Sequence, residues 1–421
     1  MSATHPATAC LDDPNLPEVH SLLVRGVPDP LQAAMAASAV EIKEAEAVQV
    51  TWWPGRSITA RFKVQLAGGG LDGPHQLVAV AGELPEHVTV VESDAGRVGV
   101  WRMPHDPFLP GLKYALDPVA AGGVLTDLGV SNGACATRLV AYRPGNRAVV
   151  SLKGPSGGVY LKMVAPNRIG RLHAIHRLIA TRLPIPVSLA VEPDLGMVAL
   201  QELPGTTLRG ALGSSEHLPD PADVLGLLAS LPEPTSKHSS PSPLDRVPAL
   251  IAMLTALVPD QGVTLSSLAA AIGEETSSGL VPVHGDFYEA QVMVRSGKVV
   301  GILDVDTFGW GRPADDAATL IGHLAVLDQS KPSSPVRAWG SRLLKRCDQA
   351  YDPVDLRRRV AAVIIGLASG PFRVQRPDWP QLTRARIGLA GRWCQSAARV
   401  AGLVESDFNN LPTSATLAAA G

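Results

Sequence analysis

Sulfur is scarce in this chain, and it is scattered. Its 421 residues hold four cysteines, Cys10, Cys135, Cys347 and Cys394, with no CxxC pair and no histidine close by at ligand spacing. That excludes a disulfide framework and a structural zinc site, and reads as reduced thiols in a cytoplasmic protein. An excess of one charge is missing too, since 37 Lys and Arg face 39 Asp and Glu, a net −2. Nothing then pulls the chain toward a phosphate backbone or an anionic bilayer, so neither nucleic acid nor membrane is expected as a partner. The N-terminal twenty residues lack a basic start and an apolar stretch, and the longest apolar runs, such as Val360–Ala368, are too short to span a bilayer. No Walker phosphate loop, GxSxG, HExxH or cysteine with a nearby base is present, which removes the P-loop, serine, zinc and thiol hydrolase readings.

What is present, at 46% apolar residues, is ample for a packed core. Residues 46–66 read as two β-rich runs broken by Pro54-Gly55, and a second sheet-like stretch covers 77–102. Arg138–Val164 repeats the pattern around Pro144-Gly145, and WWPGRSITAR and YRPGNRAVVS look like two copies of one antiparallel unit. Gly68–Gly73 fits GxGxxG by letter, yet no helix follows it, so it reads as a hairpin loop. From Ile169 to Leu183 the apolar period becomes helical, ending at Pro184 and Pro186. Strands follow at 187–191 and 197–202, and beyond them the chain turns helical, with a Pro/Ser-rich stretch at 232–241 expected to be a surface excursion. Residues 313–403 read as helix, with a frayed tail after Ser406.

The densest polar cluster in an apolar frame lies between Val281 and Asp306. Val292–Val294 and Val299–Leu303 are strand runs joined by Arg295-Ser296-Gly297-Lys298, which predicts a hairpin. Its open end brings Gln291, just before the first strand, close to Asp304, just after the second. Asp286 lies on the loop five residues before Gln291. An oxygen-only donor set of this kind suits a hard cation, and Mg²⁺ shared with the phosphates of a nucleotide is the natural inference. Asp286 is then placed to orient or deprotonate an attacking hydroxyl.

These residues carry a resemblance. His284-Gly285-Asp286, Gln291, Ile302-Leu303-Asp304, Gly309, Gly311, Pro313 and Asp316 together resemble the active-site signature of the aminoglycoside phosphotransferase and choline kinase-like family, within the protein-kinase-like fold. Tyr160-Leu161-Lys162 resembles its third N-lobe strand, and Gln201-Glu202-Leu203 its interlobe hinge. The resemblance implies an α+β, two-lobe fold with an antiparallel-sheet N-lobe and a helical C-lobe. The expected division is an N-terminal sheet-containing extension with a possible duplicated sheet element over 1–130, an N-lobe over 131–205, a C-lobe with the catalytic hairpin over 206–405, and a disordered tail over 406–421.

It further implies ATP and Mg²⁺ as cofactors and a small-molecule hydroxyl as acceptor: an aminoglycoside, a sugar or an amino alcohol. Asp286 would be the catalytic base, Gln291 and Asp304 the metal ligands, Lys162 the phosphate-binding cation, and the main chain near Gln201 and Leu203 the adenine clamp, with His284 supporting the loop. Departures from the pattern are Gln291 in place of the usual Asn, as in the maltokinase-like actinobacterial branch, and Arg312 in place of an Asp. No acidic residue lies between 163 and 191 to pair with Lys162, which leaves a weakly active nucleotide-binding pseudokinase as the alternative. The turn Pro144-Gly145-Asn146-Arg147 is the best candidate for main-chain phosphate contacts. Tyr288 and Glu289 read equally as acceptor-pocket or strand-capping residues, and Arg357-Arg358-Arg359 as solvated helix charges.

Overall fold

The computed structural model describes residues 11 and 13–402, apart from 87, 94, 95, 131–135, 155, 156, 215, 216 and 276–278. The tail after Ser406, Cys10 and Cys135 lie outside the described residues. The described chain forms two compact units, one drawn from residues 1–173, 188–202 and 371–379, the other from 174–187, 203–370 and 380–421.

In the first unit the chain runs α1 (Glu18–Leu22), α2 (Asp29–Ala36), β1 (Glu41–Trp53), β2 (Ser57–Ala67), β3 (Gly73–Ala81), β4 (Thr89–Ser93) and β5 (Gly96–Arg102). It continues through α3 (Leu112–Leu116), α4 (Pro118–Asp127), β6 (Ala136–Arg143), β7 (Arg147–Gly154), β8 (Gly157–Val164), α5 (Pro166–Ile179), β9 (Ser188–Glu192) and β10 (Met197–Gln201). Two five-stranded sheets result, ordered β1-β2-β3-β5-β4 and β6-β7-β8-β10-β9, with every neighbouring pair antiparallel. The same connectivity is thus used twice, the second time with α5 inserted before the last two strands.

The two hairpins at the start of the sheets match in detail. Trp53 pairs with Ser57 and Arg143 with Arg147, leaving Pro-Gly turns in which Gly55 and Gly145 both have φ of 68°. That left-handed backbone is cheap only for glycine. A buried carboxylate stands behind each turn: Asp13 Oδ2 accepts from Gly55 N at 2.8 Å and Trp52 Nε1 at 3.0 Å, and Asp106 Oδ2 from Gly145 N at 2.8 Å and Tyr142 Oη at 2.9 Å. Both aspartates open the same five-residue phrase, Asp13-Pro-Asn-Leu-Pro17 and Asp106-Pro-Phe-Leu-Pro110.

Burial follows the strand period. Along β2, Ile58, Ala60, Phe62, Val64 and Leu66 are buried while alternate residues are not. Val78, Val80 and Trp101 of the first sheet share one core with Leu112 and Leu125 of α3 and α4 and with Val150, Leu161 and Met197 of the second. On α5, Ile169 and Leu172 pack on Val164, Val198 and Leu200, the face predicted from the helical spacing.

The remaining elements are β11 (Thr206–Thr207), α6 (Leu208–Leu212), α7 (Pro221–Ala229), α8 (Val247–Leu257), α9 (Gly262–Ile272), β12 (Val281–Val283), β13 (Val292–Arg295), β14 (Lys298–Ile302) and β15 (Gly309–Gly311). After them come α10 (Asp315–Ser330), α11 (Ser334–Ala350), α12 (Pro353–Ala368), α13 (Gly370–Arg373) and α14 (Trp379–Val400). Three helices start on Asp-Pro: Asp117, Asp220 and Asp352 cap α4, α7 and α12 with a carboxylate on a first-turn N–H, and proline takes the first helical position.

Two expectations are corrected in the second unit. Arg357 and Arg359 are not solvated: α12 is the helix at the centre of the packing, and they are 6% and 0% exposed. Arg359 reaches Asp315 and Asp355 at 2.7 Å and Glu275 at 2.8 Å, so its charge is compensated three times over. The Pro/Ser-rich stretch also docks at its end. Ser240 N donates to Trp310 O at 2.8 Å and Trp310 N to His238 O at 2.9 Å, which lays residues 238–240 along β15. Among the described residues no helix is long and apolar enough to cross a membrane.

Candidate active site

The segment from His284 to Gln291 leaves β12 and enters β13, and the start of α10 fixes its beginning. Asp316 Oδ2 accepts from His284 N at 2.6 Å, and its Oδ1 accepts from Gly285 N at 2.9 Å. Burial pushes the Asp316 carboxyl above the usual carboxylate range, while the adjacent His284 and the two amide N–H groups pull it down. Gly285 has φ of 83°, and a Cβ there would meet Ser240 Oγ at 2.5 Å and Thr307 O at 2.7 Å, so only glycine fits between these neighbours.

His284 is fully buried. Asp286 N donates to its Nδ1 at 3.3 Å, which leaves Nε2 to carry the hydrogen toward Leu303 O at 2.9 Å. The imidazole therefore ties the loop to the end of β14. Thr307 Oγ1 adds a bond to His284 O at 2.9 Å. The role expected of His284, support of the loop, matches these contacts.

The hairpin forms as the residue pattern predicts. Val292 pairs with Ile302 and Arg295 with Lys298, and Ser296 and Gly297 at φ of 52° and 74° make the two-residue turn. Its open end is closed by Leu303 N donating to Gln291 O at 2.8 Å, and Gln291 Nε2 lies 3.4 Å from Asp304 Oδ2. Asp304 itself sits in left-handed backbone, φ 56° and ψ 52°, a conformation that a non-glycine residue adopts at a cost of about 1 kcal/mol. Burial raises the Tyr288 hydroxyl above its ordinary range, and the charges of Asp286 and Asp304 push it the same way.

Two carboxylates and an amide oxygen are chemistry that would suit a hard cation such as Mg²⁺. Among the described residues no group of three or more His, Cys, Asp or Glu that could hold a metal ion is gathered, at this site or another. Gln291 turns its amide nitrogen to Asp304, and presenting its oxygen to a cation needs only a rotation of that amide.

On the first unit, Lys162 is 5% exposed and lies at the middle of the second sheet, paired with Val149 and Val198. Helix α5 after it carries no Asp or Glu. Gln201 is the last residue of β10, opposite Val159, and Leu203 follows two residues later in the second unit, its Cδ1 beside Gly301. The Pro144–Arg147 turn does not offer the main-chain donors expected of it. Gly145 N–H is given to Asp106, Asn146 N–H goes to Arg143 O at 3.0 Å, and Pro144 has none.

Several groups around the loop had no clear role in the residue pattern. Glu289 is buried, and Arg209 of α6 grips it with Nε at 2.8 Å and Nη2 at 2.6 Å from Oε1. Tyr288 stacks on His323 of α10, with ring centroids 4.2 Å apart. Arg312 reaches Glu275 at 3.8 Å. The Phe372–Trp379 pair is an edge-on core contact within the first unit.

Residues 143–362, just over half of the chain, match the sequence model of the phosphotransferase enzyme family. The chain belongs to that family. It is a phosphotransferase with a mixed architecture of antiparallel sheets followed by helices. No curated protein matches the sequence. Among solved structures, a macrolide 2'-phosphotransferase of Brachybacterium faecium is similar at 16% identity, covering 64% of this chain and 97% of its own with a TM-score of 0.43. A thermostable mutant of an aminoglycoside phosphotransferase is similar at 13% identity, with 67% and 99% covered and a TM-score of 0.48. A choline kinase of Cryptosporidium parvum is similar at 10%, with 70% and 100% covered and a TM-score of 0.46.

Proposed function

We propose that this phosphotransferase moves the γ-phosphate of ATP to a hydroxyl of a small polar molecule. The observation that carries the reading is the clamped loop: Asp316 holds the amides of His284 and Gly285, His284 ties the loop to Leu303, and Gln291 and Asp304 meet at the mouth of one hairpin. Such a frame fixes Asp286 on rigid main chain, which is what a reaction driven by positioning and charge neutralisation requires.

In this reading Asp286 accepts the proton of the acceptor hydroxyl as its oxygen bonds to the γ-phosphorus. The bond to the bridging oxygen breaks, and its electron pair leaves with ADP. Lys162 holds phosphate oxygens, and main-chain groups near Gln201 and Leu203 hold the adenine. Gln291 and Asp304 would hold Mg²⁺, which when bound neutralises charge on the triphosphate.

The test is ADP release with MgATP over a panel of sugars, aminoglycosides and amino alcohols. ADP formed with at least one acceptor, and lost in Asp286→Ala with nucleotide binding kept, supports the reading. Asp304→Ala should instead weaken Mg-nucleotide binding. Nucleotide binding without turnover of any acceptor favours the pseudokinase, for which the absence of a carboxylate on α5 is the one specific observation.

A further inference from the structure

Tyr288 has an unusual setting for a residue two positions from the proposed base. Its ring is stacked on His323 at 4.2 Å and has the Arg209 guanidinium 5.6 Å from its centroid. Arg209 is held in turn by buried Glu289, the next residue in the chain, and Arg209 N donates to Glu289 O at 3.0 Å. The residue is half-buried, and its hydroxyl, a hydrogen-bond donor, makes no hydrogen bond among the described residues. A tyrosine stacked in this way, two residues from Asp286 and with a free donor, is arranged to meet an external oxygen.

Resting on the transfer reading above, we infer that Tyr288 is a specificity-determining residue whose hydroxyl donates to an acceptor oxygen adjacent to the hydroxyl that receives the phosphate. The acceptor class is thereby a polyhydroxylated compound carrying neighbouring oxygens. A lone alcohol next to a quaternary ammonium offers nothing to accept the bond. The Arg209 guanidinium, half-exposed over the same ring, also disfavours a polycation at this point.

The experiment measures ADP release by the full chain with MgATP and glucose, glucosamine, myo-inositol, kanamycin or choline. Turnover is expected with one of the three polyhydroxylated rings and not with choline. For the best acceptor, Tyr288→Phe, which keeps the stacked ring, should raise KM for the acceptor or lower kcat/KM by about tenfold or more, because a site built to bond a hydroxyl discriminates by that pairing. KM for MgATP should stay within about twofold, as expected of a residue that touches the acceptor and not the nucleotide.

The decisive comparison uses the deoxy analogue lacking the neighbouring hydroxyl. It should lose a similar factor with the unaltered chain and little more with Tyr288→Phe, since the same bond is removed from either side. Preference for choline or kanamycin, an unchanged acceptor kcat/KM in Tyr288→Phe, or a rise confined to KM for MgATP overturns the assignment. Absence of ADP release with every member overturns the transfer reading itself and this inference with it. The two failures are told apart by whether the unaltered chain turns over at all.

Discussion

Asp316 and His284 meet at 2.6 Å, from the carboxylate of one to the main-chain N–H of the other, across 32 residues of sequence. Because the same carboxylate also takes Gly285 N, the first turn of α10 dictates the peptide planes that precede Asp286.

Replacing Asp316 with Ala leaves two amide donors without a partner, at about 1–3 kcal/mol of stability. The larger expected effect is on turnover, a fall of about a hundredfold from misplacement of Asp286. Steady-state ADP release, with the thermal midpoint measured alongside, checks this. A variant that loses stability but keeps turnover would show that the loop holds its geometry without Asp316.

Arg359 is the second strong prediction. Its side chain is 1% exposed and spans Asp315, Glu275 and Asp355. Arg359→Met removes the cation and strands those carboxylates, of which Asp315 lies beside the residue that clamps the loop. A loss of about 3–5 kcal/mol is expected. The midpoint of urea unfolding, compared at equal slope, reads it. Arg376, paired with Asp378 at the surface with both side chains about half exposed, is the control, and Arg376→Ala should leave the urea midpoint nearly unchanged.

These cases show where the residue pattern was readable and where it was not. The hairpin from Val292 to Leu303 was legible because its strands are β-branched runs flanking a turn dipeptide, and Gln291 and Asp304 meet because the register follows from that turn. The loop residues were legible as a joint pattern. Arg359 was not, because a triple-arginine stretch looks solvated until the helix carrying it is known to be surrounded. The phosphate-contact expectation for Pro144–Arg147 failed for a related reason: main-chain donors are silent in a sequence, and the acceptor that consumes one of them, Asp106, lies 39 residues away. The signal that could have exposed it was the phrase Asp-Pro-x-Leu-Pro, present once before each Pro-Gly hairpin.

The described cysteines make a simple chemical prediction. Burial pushes the thiols of Cys347 and Cys394 up to about 12. Peptide mapping after iodoacetamide at pH 8 should find both unmodified in the folded protein and modified in denaturant, since the thiolate is the reactive form. The linkage has a definite sign. A thiol that titrates near 8.5 when unfolded but near 12 when folded disfavours the folded state as pH rises through that window. Thermal midpoints should therefore fall between about pH 8.5 and 12, and less steeply in Cys347→Ser.

Asp106 and Asp13 give the last prediction, because the fold supplies its own control. Each is a buried carboxylate behind a Pro-Gly turn, accepting one glycine N–H at 2.8 Å and one aromatic donor. Only the second copy carries Lys162 on its third strand. In register, the first sheet has Val80 at that place, pairing with Thr59 as Lys162 pairs with Val149. Asp13→Ala and Asp106→Ala should therefore destabilise by similar amounts, about 1–3 kcal/mol each, since each strands the same kinds of donor. Asp106 adds a pH signature. Burial raises its carboxyl above the usual range, against the lowering effect of Gly145 N, Phe108 N and the Tyr142 hydroxyl. A carboxyl raised on folding binds its proton more tightly in the folded state, so its contribution falls as pH climbs from the unfolded value near 4 through the folded one. The advantage of the unaltered chain over Asp106→Asn should accordingly be largest at the acid end and shrink toward pH 7, as read from urea midpoints at pH 4, 5.5 and 7. An advantage that grows with pH would mean that the ionised form is the one the fold prefers, and that the donors around Asp106 outweigh its burial.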